Sequence, residues 1–172
     1  MNILLTGMKG VGKTTVLNHV LQDFSGSMAG YVTYSGYIKE NGLRDVYFKP
    51  FGASDIYDEA HRIIERIDPV QRRVFPEVFD ETGAAILLDA LESRPDIIVI
   101  DEIGTFEKRR EVFKTVVVKC LDSAIPVLGV IRKAKSDFLD EIRSRPDVEI
   151  IEITVDNRDN IIPAINGKIN TL

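Results

Sequence analysis

Only one cysteine, Cys120, occurs in the 172 residues, so no disulfide can close within the chain. Its apolar helical surroundings point to a plain core role in a reduced compartment. Histidine is almost as scarce. His19 and His61 stand apart from any other ligand at metal-binding spacing, which excludes a zinc site. Long hydrophobic runs are missing: none approaches the ~20 residues needed to cross a bilayer. The chain opens on a strand without a leader pattern, so neither membrane span nor signal peptide is expected, and the expected compartment is the cytoplasm. Basic residues are not in excess, since 22 Lys and Arg against 27 Asp and Glu give a formal net charge of −5. That leaves no cationic stripe for general nucleic-acid binding. No repeat, low-complexity tract or Ser/Gly-rich linker divides the chain. A single domain over 1–172 is therefore expected, with 44% hydrophobic residues to build its core.

What is present begins at residue 7. Gly7-Met8-Lys9-Gly10-Val11-Gly12-Lys13-Thr14 fills the G-x-x-x-x-G-K-[ST] phosphate-loop pattern, between the apolar strand Ile3-Leu4-Leu5 and a helix carrying Val16, Leu17, Val20, Leu21 and Phe24 at helical spacing. Such a loop needs these residue types because main-chain N–H groups must converge on phosphate oxygens, and side chains on a tightly wrapped backbone would block them. The free N–H groups of the first helical turn and the positive end of its dipole add to the attraction. Lys13 is placed to reach the β- and γ-phosphates, and the Thr14 hydroxyl to offer a hard oxygen ligand to Mg²⁺.

A second motif lies near residue 100. Ile97-Ile98-Val99-Ile100 runs into Asp101-Glu102-Ile103-Gly104. The β-branched run reads as a strand buried on both faces, which sets Asp101 at its C-terminal end, where open α/β sheets hold their ligands. Asp101 there can hold Mg²⁺, and Glu102 can orient and deprotonate a water attacking a γ-phosphate.

Strands are expected at 2–6, 96–101, 126–131 and 148–153, and helices near 81–93, 107–122, 136–144 and 158–167. Strand and helix in turn imply an α/β fold with a parallel sheet covered on both faces. Tyr31-Val32-Thr33-Tyr34 and Val46-Tyr47-Phe48 flank Glu40-Asn41-Gly42-Leu43, predicting a β-hairpin inserted over about 29–51. Ile56, Ala60, Ile63 and Ile67 give 54–67 helical spacing, although the adjacent Ile63-Ile64 and Pro69 weigh against a helix.

The loop Thr6 to Thr15, the segment Ile98-Val99-Ile100-Asp101-Glu102-Ile103-Gly104 and the late Thr154-Val155-Asp156-Asn157-Arg158-Asp159 together resemble the THEP-type nucleoside-triphosphatase family over nearly the whole chain. The resemblance implies a P-loop NTPase three-layer αβα fold, RecA-like or kinase-like. It also implies a Mg²⁺-dependent enzyme that converts ATP, GTP and other nucleoside triphosphates to diphosphate and phosphate. Carried over by position, Gly7 to Thr15 and Ile97 to Gly104 would form the nucleotide site. Glu102 and Lys13 would act in catalysis, and Thr14 and Asp101 would hold the metal. Two positions depart from the family's pattern: Lys9 stands where Pro is frequent, and Thr105-Phe106 stand where Pro-Met is frequent. Neither is a ligand position; Lys9 either adds a cation near the phosphates or points outward.

Other residues have two readings each. Asn157 and Arg158 border the base, or Asp156 or Asn157 caps the last helix. Arg132 and Lys133 neutralise transition-state charge or are solvated surface, and so with Arg72 and Arg73. The alternatives to a hydrolase are a small-molecule kinase, its acceptor pocket lined by Tyr31, Tyr34, Tyr37 and Tyr47, and a nucleotide-gated switch.

Overall fold

The computed structural model describes residues 1–105 and 111–170. Its strands are β1 (Asn2–Thr6), β2 (Met28–Ser35), β3 (Val46–Pro50), β4 (Arg62–Arg66), β5 (Arg72–Val74), β6 (Ile97–Ile103), β7 (Val127–Ile131) and β8 (Val148–Glu152). The helices are α1 (Lys13–Asp23), α2 (Ala84–Ser93, preceded by a π-turn over Phe79–Gly83), α3 (Glu111–Asp122), α4 (Asp137–Ser144) and α5 (Ile162–Ile169). All the strands join one sheet in the order β5-β4-β3-β2-β6-β7-β1-β8. From β2 to β8 neighbours run parallel, and β3, β4 and β5 continue the sheet antiparallel.

The apolar runs explain the layering. In β6, Ile98 and Ile100 enter a core built with α2, α3 and α4, whereas Ile97 and Val99 enter one built with α1 and α5. Alternation on a strand buried on both sides requires this. Leu17 of α1 and Leu87 of α2 are fully buried, each worth about 1.5–3 kcal/mol of apolar transfer. Cys120 is likewise core, and burial pushes its thiol up to about 12. Among the described residues no helix is long and apolar enough to cross a membrane.

The structure differs from the sequence reading mainly on the antiparallel side. The expected hairpin is not an insertion: its first strand, β2, is itself a parallel strand paired with β6. Asn41-Gly42 does reverse the chain, with Gly42 at φ 76°, but at the tip of a loop over 36–45. The expected helix over 54–67 is replaced by β4. The open edge of β3 offers backbone partners, Phe48 N–H donating to the His61 carbonyl at 2.8 Å, and the β-branched pair Ile63-Ile64 suits a strand better than a helix. β5 is short and charged, without an apolar period to announce it. β6 runs on through Glu102 to Ile103, and the last helix begins at Ile162, after turns over 155–160. Of the expected helix over 107–122, positions 107–110, and also Phe106, lie outside the described residues.

Candidate active site

The turn from β1 into α1 is shaped by glycine. Gly7 has φ 146°, and a Cβ there would lie 2.4 Å from the Ile153 carbonyl oxygen. No other residue fits. Gly12, at φ 105°, ends the turn at the helix N-terminus with no side-chain cap, which leaves first-turn N–H groups directed at any anion held in the loop. Lys13 folds back over the turn, its Nζ donating to the carbonyls of Gly7 at 3.2 Å and Met8 at 3.1 Å.

The two sequence motifs meet at one contact. The Thr14 hydroxyl donates to Asp101 Oδ1 at 3.4 Å. Asp101 is 2% exposed, and burial raises its carboxyl to about 6, with Glu102 pushing the same way and Thr14 and Lys13 opposing more weakly. A buried carboxylate next to a hydroxyl favours a cation beside it. At Glu102 the ladder to β7 shifts register, Asp101 pairing with Val130 and Ile103 with Ile131, so Glu102 is an extra residue on its strand; the Asp101–Glu102 peptide is cis. The buried Tyr31 donates its hydroxyl to the Glu102 carbonyl at 3.3 Å.

A cleft of about 630 Å³ opens over these groups. It gathers Gly7, Met8, Lys9, Gly10, Gly12, Lys13, Thr14 and Thr15 of the loop with Glu102 and Gly104, and Asp101 joins through Thr14. Val11 turns into the α1 core instead. Ile97, Ile98, Val99, Ile100 and Ile103 lie within the two cores and support the acidic pair from beneath. Arg132 and Lys133 reach the cleft, where Lys133 pairs with Glu152 at 2.5 Å.

Asn157 and Arg158 sit off the cleft. The stem of Arg158 lies 3.7 Å from where a Gly12 Cβ would be, beside the N-terminus of α1. Asn157 ties the 154–157 turn, its Oδ1 accepting from Thr154 N–H at 2.8 Å and its Nδ2 donating to the Glu152 carbonyl at 2.9 Å. The capping reading is corrected: α5 is preceded by Ile161 with no side-chain cap, because Asn157 is spent on that turn. The tyrosines expected around an acceptor lie elsewhere. Tyr31 is core, and Tyr34, Tyr37 and Tyr47 cluster with Tyr57 at ring separations of 5.6–5.9 Å. The antiparallel strands instead supply Thr33, Val46, Ile63, Ile64, Arg66 and Arg72 to the cleft, with Phe79 of the π-turn. Arg73 turns away, to Glu65 at 3.6 Å.

The sequence profile of a family described as NTPase matches residues 2–166. Curated relatives named nucleoside-triphosphatase THEP1 include one from Thermotoga sp. (strain RQ2), 34% identical over 174 residues covering 96% of this chain and 93% of the relative. Another, from Methanocaldococcus jannaschii, is 30% identical and covers 98% of this chain and 97% of the relative. The crystal structure of THEP1 from Aquifex aeolicus superposes with a TM-score of 0.75 at 23% identity over 96% of both chains. The solution structure of a human cancer-related nucleoside triphosphatase gives 0.69 at 24%, over 99% of this chain and 97% of that one. The fold is the α/β P-loop NTPase fold, a mostly parallel sheet between two helix layers.

Proposed function

The chain belongs to the THEP1 nucleoside-triphosphatase family, and from that premise we propose that it hydrolyses nucleoside triphosphates to diphosphate and phosphate in the cleft between the phosphate loop and the end of β6. It is a nucleoside-triphosphate phosphohydrolase. The observation that carries the placement of the site is the Thr14–Asp101 contact at 3.4 Å, which joins a phosphate-binding turn to an acidic strand end.

The turn's main-chain N–H groups and the first turn of α1 grip the phosphate chain. Lys13 exchanges the carbonyls of Gly7 and Met8 for β- and γ-phosphate oxygens, which bear more charge than a carbonyl. Thr14 and Asp101 would hold Mg²⁺, which when bound neutralises charge on those oxygens. The donor set fits: a hydroxyl with one carboxylate, 3.4 Å apart, suits an ion that keeps waters and takes its remaining ligands from phosphate. Glu102 accepts a proton from water as the water oxygen bonds to the γ-phosphorus. The bond from that phosphorus to the bridging oxygen breaks, and the diphosphate leaves with the bond's electron pair. Arg132 and Lys133 border the same cleft and add positive charge where the leaving and equatorial oxygens become more negative.

Hydrolysis is favoured over transfer to an acceptor by the displacement of the tyrosines from the cleft. The test is phosphate release by the purified protein with ATP or GTP and Mg²⁺, with no acceptor or partner added. Steady turnover is expected, lost with EDTA and restored by Mg²⁺. Release that starts only on adding an acceptor or partner protein would overturn the hydrolase reading.

A further inference from the structure

Glu102 is left out of the strand pairing on both sides. Toward β7 the register passes from Asp101–Val130 to Ile103–Ile131 and skips it. Toward β2 the pairing ends one residue earlier, at Val32–Asp101. Its neighbours in the chain are tied down. Asp101 accepts from the Thr14 hydroxyl at 3.4 Å, and the Ile103 carbonyl accepts from the Arg132 N–H at 2.9 Å. A residue excluded from both ladders needs some other contact to set its peptide planes. The direction of its side chain follows from them. For a carboxylate that takes a proton from an attacking water that direction matters, since a misplacement of about 1 Å can cost roughly 10²-fold in rate.

The contact comes from the core. Tyr31 stands opposite Ile100 in the β2–β6 pairing, and Glu102 lies two residues further on, roughly 6.6 Å along a strand. A phenol side chain leaning along the strand covers that span. Tyr31 is fully buried, and its hydroxyl donates to the Glu102 carbonyl at 3.3 Å. Its ring is wedged between Phe48 and Phe113, with centroids 4.7 and 6.0 Å away. Phe79 closes the cluster against both phenylalanines, at 4.9 and 5.5 Å. Phe113 is itself tethered, its N–H donating to Asp80 Oδ1 at 2.9 Å. The other rings of this cluster carry no hydroxyl, so its packing does not call for one on Tyr31. A phenol placed in such a core must be hydrogen-bonded to offset its desolvation. Here the acceptor is the main chain of the residue that faces the γ-phosphate.

We propose that Tyr31 is a positioning residue for hydrolysis: its hydroxyl fixes the Glu102 peptide and thereby aims the Glu102 carboxylate at the attacking water. The aromatic cluster is the rigid footing from which it does so. Tyr31 touches neither nucleotide nor water, so it changes the rate of the chemical step only through Glu102. The inference rests on the role of Glu102 given under the proposed function.

The test is a double-mutant cycle on single-turnover phosphate release from ATP and Mg²⁺ by the full chain, with Tyr31→Phe, Glu102→Ala and the two combined. Tyr31→Phe keeps the ring and removes one hydroxyl, so ADP affinity and KM should match wild type. Its rate should fall about tenfold, the scale of one neutral hydrogen bond. In Glu102→Ala there is no carboxylate to aim, and adding Tyr31→Phe should leave the residual rate where it was. A merely structural role would slow both backgrounds alike. Tyr31→Phe at the wild-type rate, or an equal further loss in the Glu102→Ala background, overturns the proposal. Loss of ADP affinity in Tyr31→Phe also overturns it, because Tyr31 would then hold the site as a whole. Glu102→Ala at the wild-type rate would instead overturn the assignment of Glu102 on which the inference rests.

Discussion

On one side of β2 the strands run parallel and end at a phosphate loop; on the other, β3 to β5 run antiparallel and end at a pair of arginines. Both sides face the same cleft, but they are assembled differently. The parallel side builds its chemistry from consecutive residues, Gly7 to Thr15 and Asp101-Glu102, because phosphate is gripped by a continuous stretch of main chain and a strand end delivers neighbouring side chains together. The antiparallel side, with β2, contributes scattered residues, Thr33 from β2, Val46 from β3, Ile63, Ile64 and Arg66 from β4 and Arg72 from β5, and only strand register makes them a surface. Reaction chemistry and shape are thus divided between the two sides, which makes the division open to mutation.

The largest effect on folding should come from the antiparallel side. Phe48 is fully buried against Tyr31 and Phe79, with ring centroids 4.7 and 4.9 Å away. Phe48→Ala should cost about 3–5 kcal/mol in denaturant unfolding, while the protein that remains folded keeps its affinity for ADP. If ADP affinity fell in step with stability, the two sides would not be separable. Lys13→Met should do the reverse. Turnover should drop about 10²–10³-fold, as for loss of a preorganised electrostatic donor, with the melting temperature of the ligand-free protein nearly unchanged.

Asp101 sharpens the comparison, because it should harm the fold it serves. Folding raises its pKa to about 6, so folding favours the protonated form. That contribution is present at low pH and is lost as pH rises through 6. Asp101→Asn, which mimics the protonated state, should therefore melt like wild type near pH 4 and above it at pH 8 in the absence of nucleotide. The gap should be no more than ~3 kcal/mol, from about two pKa units. Its hydrolysis should be largely lost. A variant less stable than wild type at pH 8 would contradict the cause assigned to the shift. The smallest effect is expected at Tyr57, half-exposed although its ring meets those of Tyr34, Tyr37 and Tyr47: Tyr57→Ala should cost only about 1–2 kcal/mol, the scale of a few aromatic pairs at an exposed position, and leave kcat unchanged.

The same division governs what the sequence made legible. The phosphate loop and the acidic strand end are short, contiguous and set by local backbone physics, so their residues and flanking elements could be read directly. Arg66 could not, and Arg72 was read only as half of a pair with Arg73. Five residues lie between Arg66 and Arg72, no motif contains both, and their meeting depends on β4 pairing with β5, in a region whose helical spacing pointed elsewhere. One local signal did exist. Asp68-Pro69 begins a turn in which the Asp68 carboxylate accepts from the N–H groups of Val70 and Gln71, both at 2.7 Å, a side-chain turn that Asp before Pro favours. Reading 62–74 as a hairpin folded about that turn would have set the arginines opposite one another. Arg158 was picked out by position, but its approach to Gly12 depends on how the 154–157 turn packs on the loop, a tertiary arrangement that spacing does not encode.

The central claim is that a γ-phosphate held by the loop meets Glu102. Its most direct test is the rate of phosphate release by Glu102→Gln, measured beside the affinity of the same variant for the intact triphosphate. The account expects release slowed by about 10²–10⁴-fold, the usual contribution of a general base, with affinity within a few-fold of wild type. Release at the wild-type rate would contradict it.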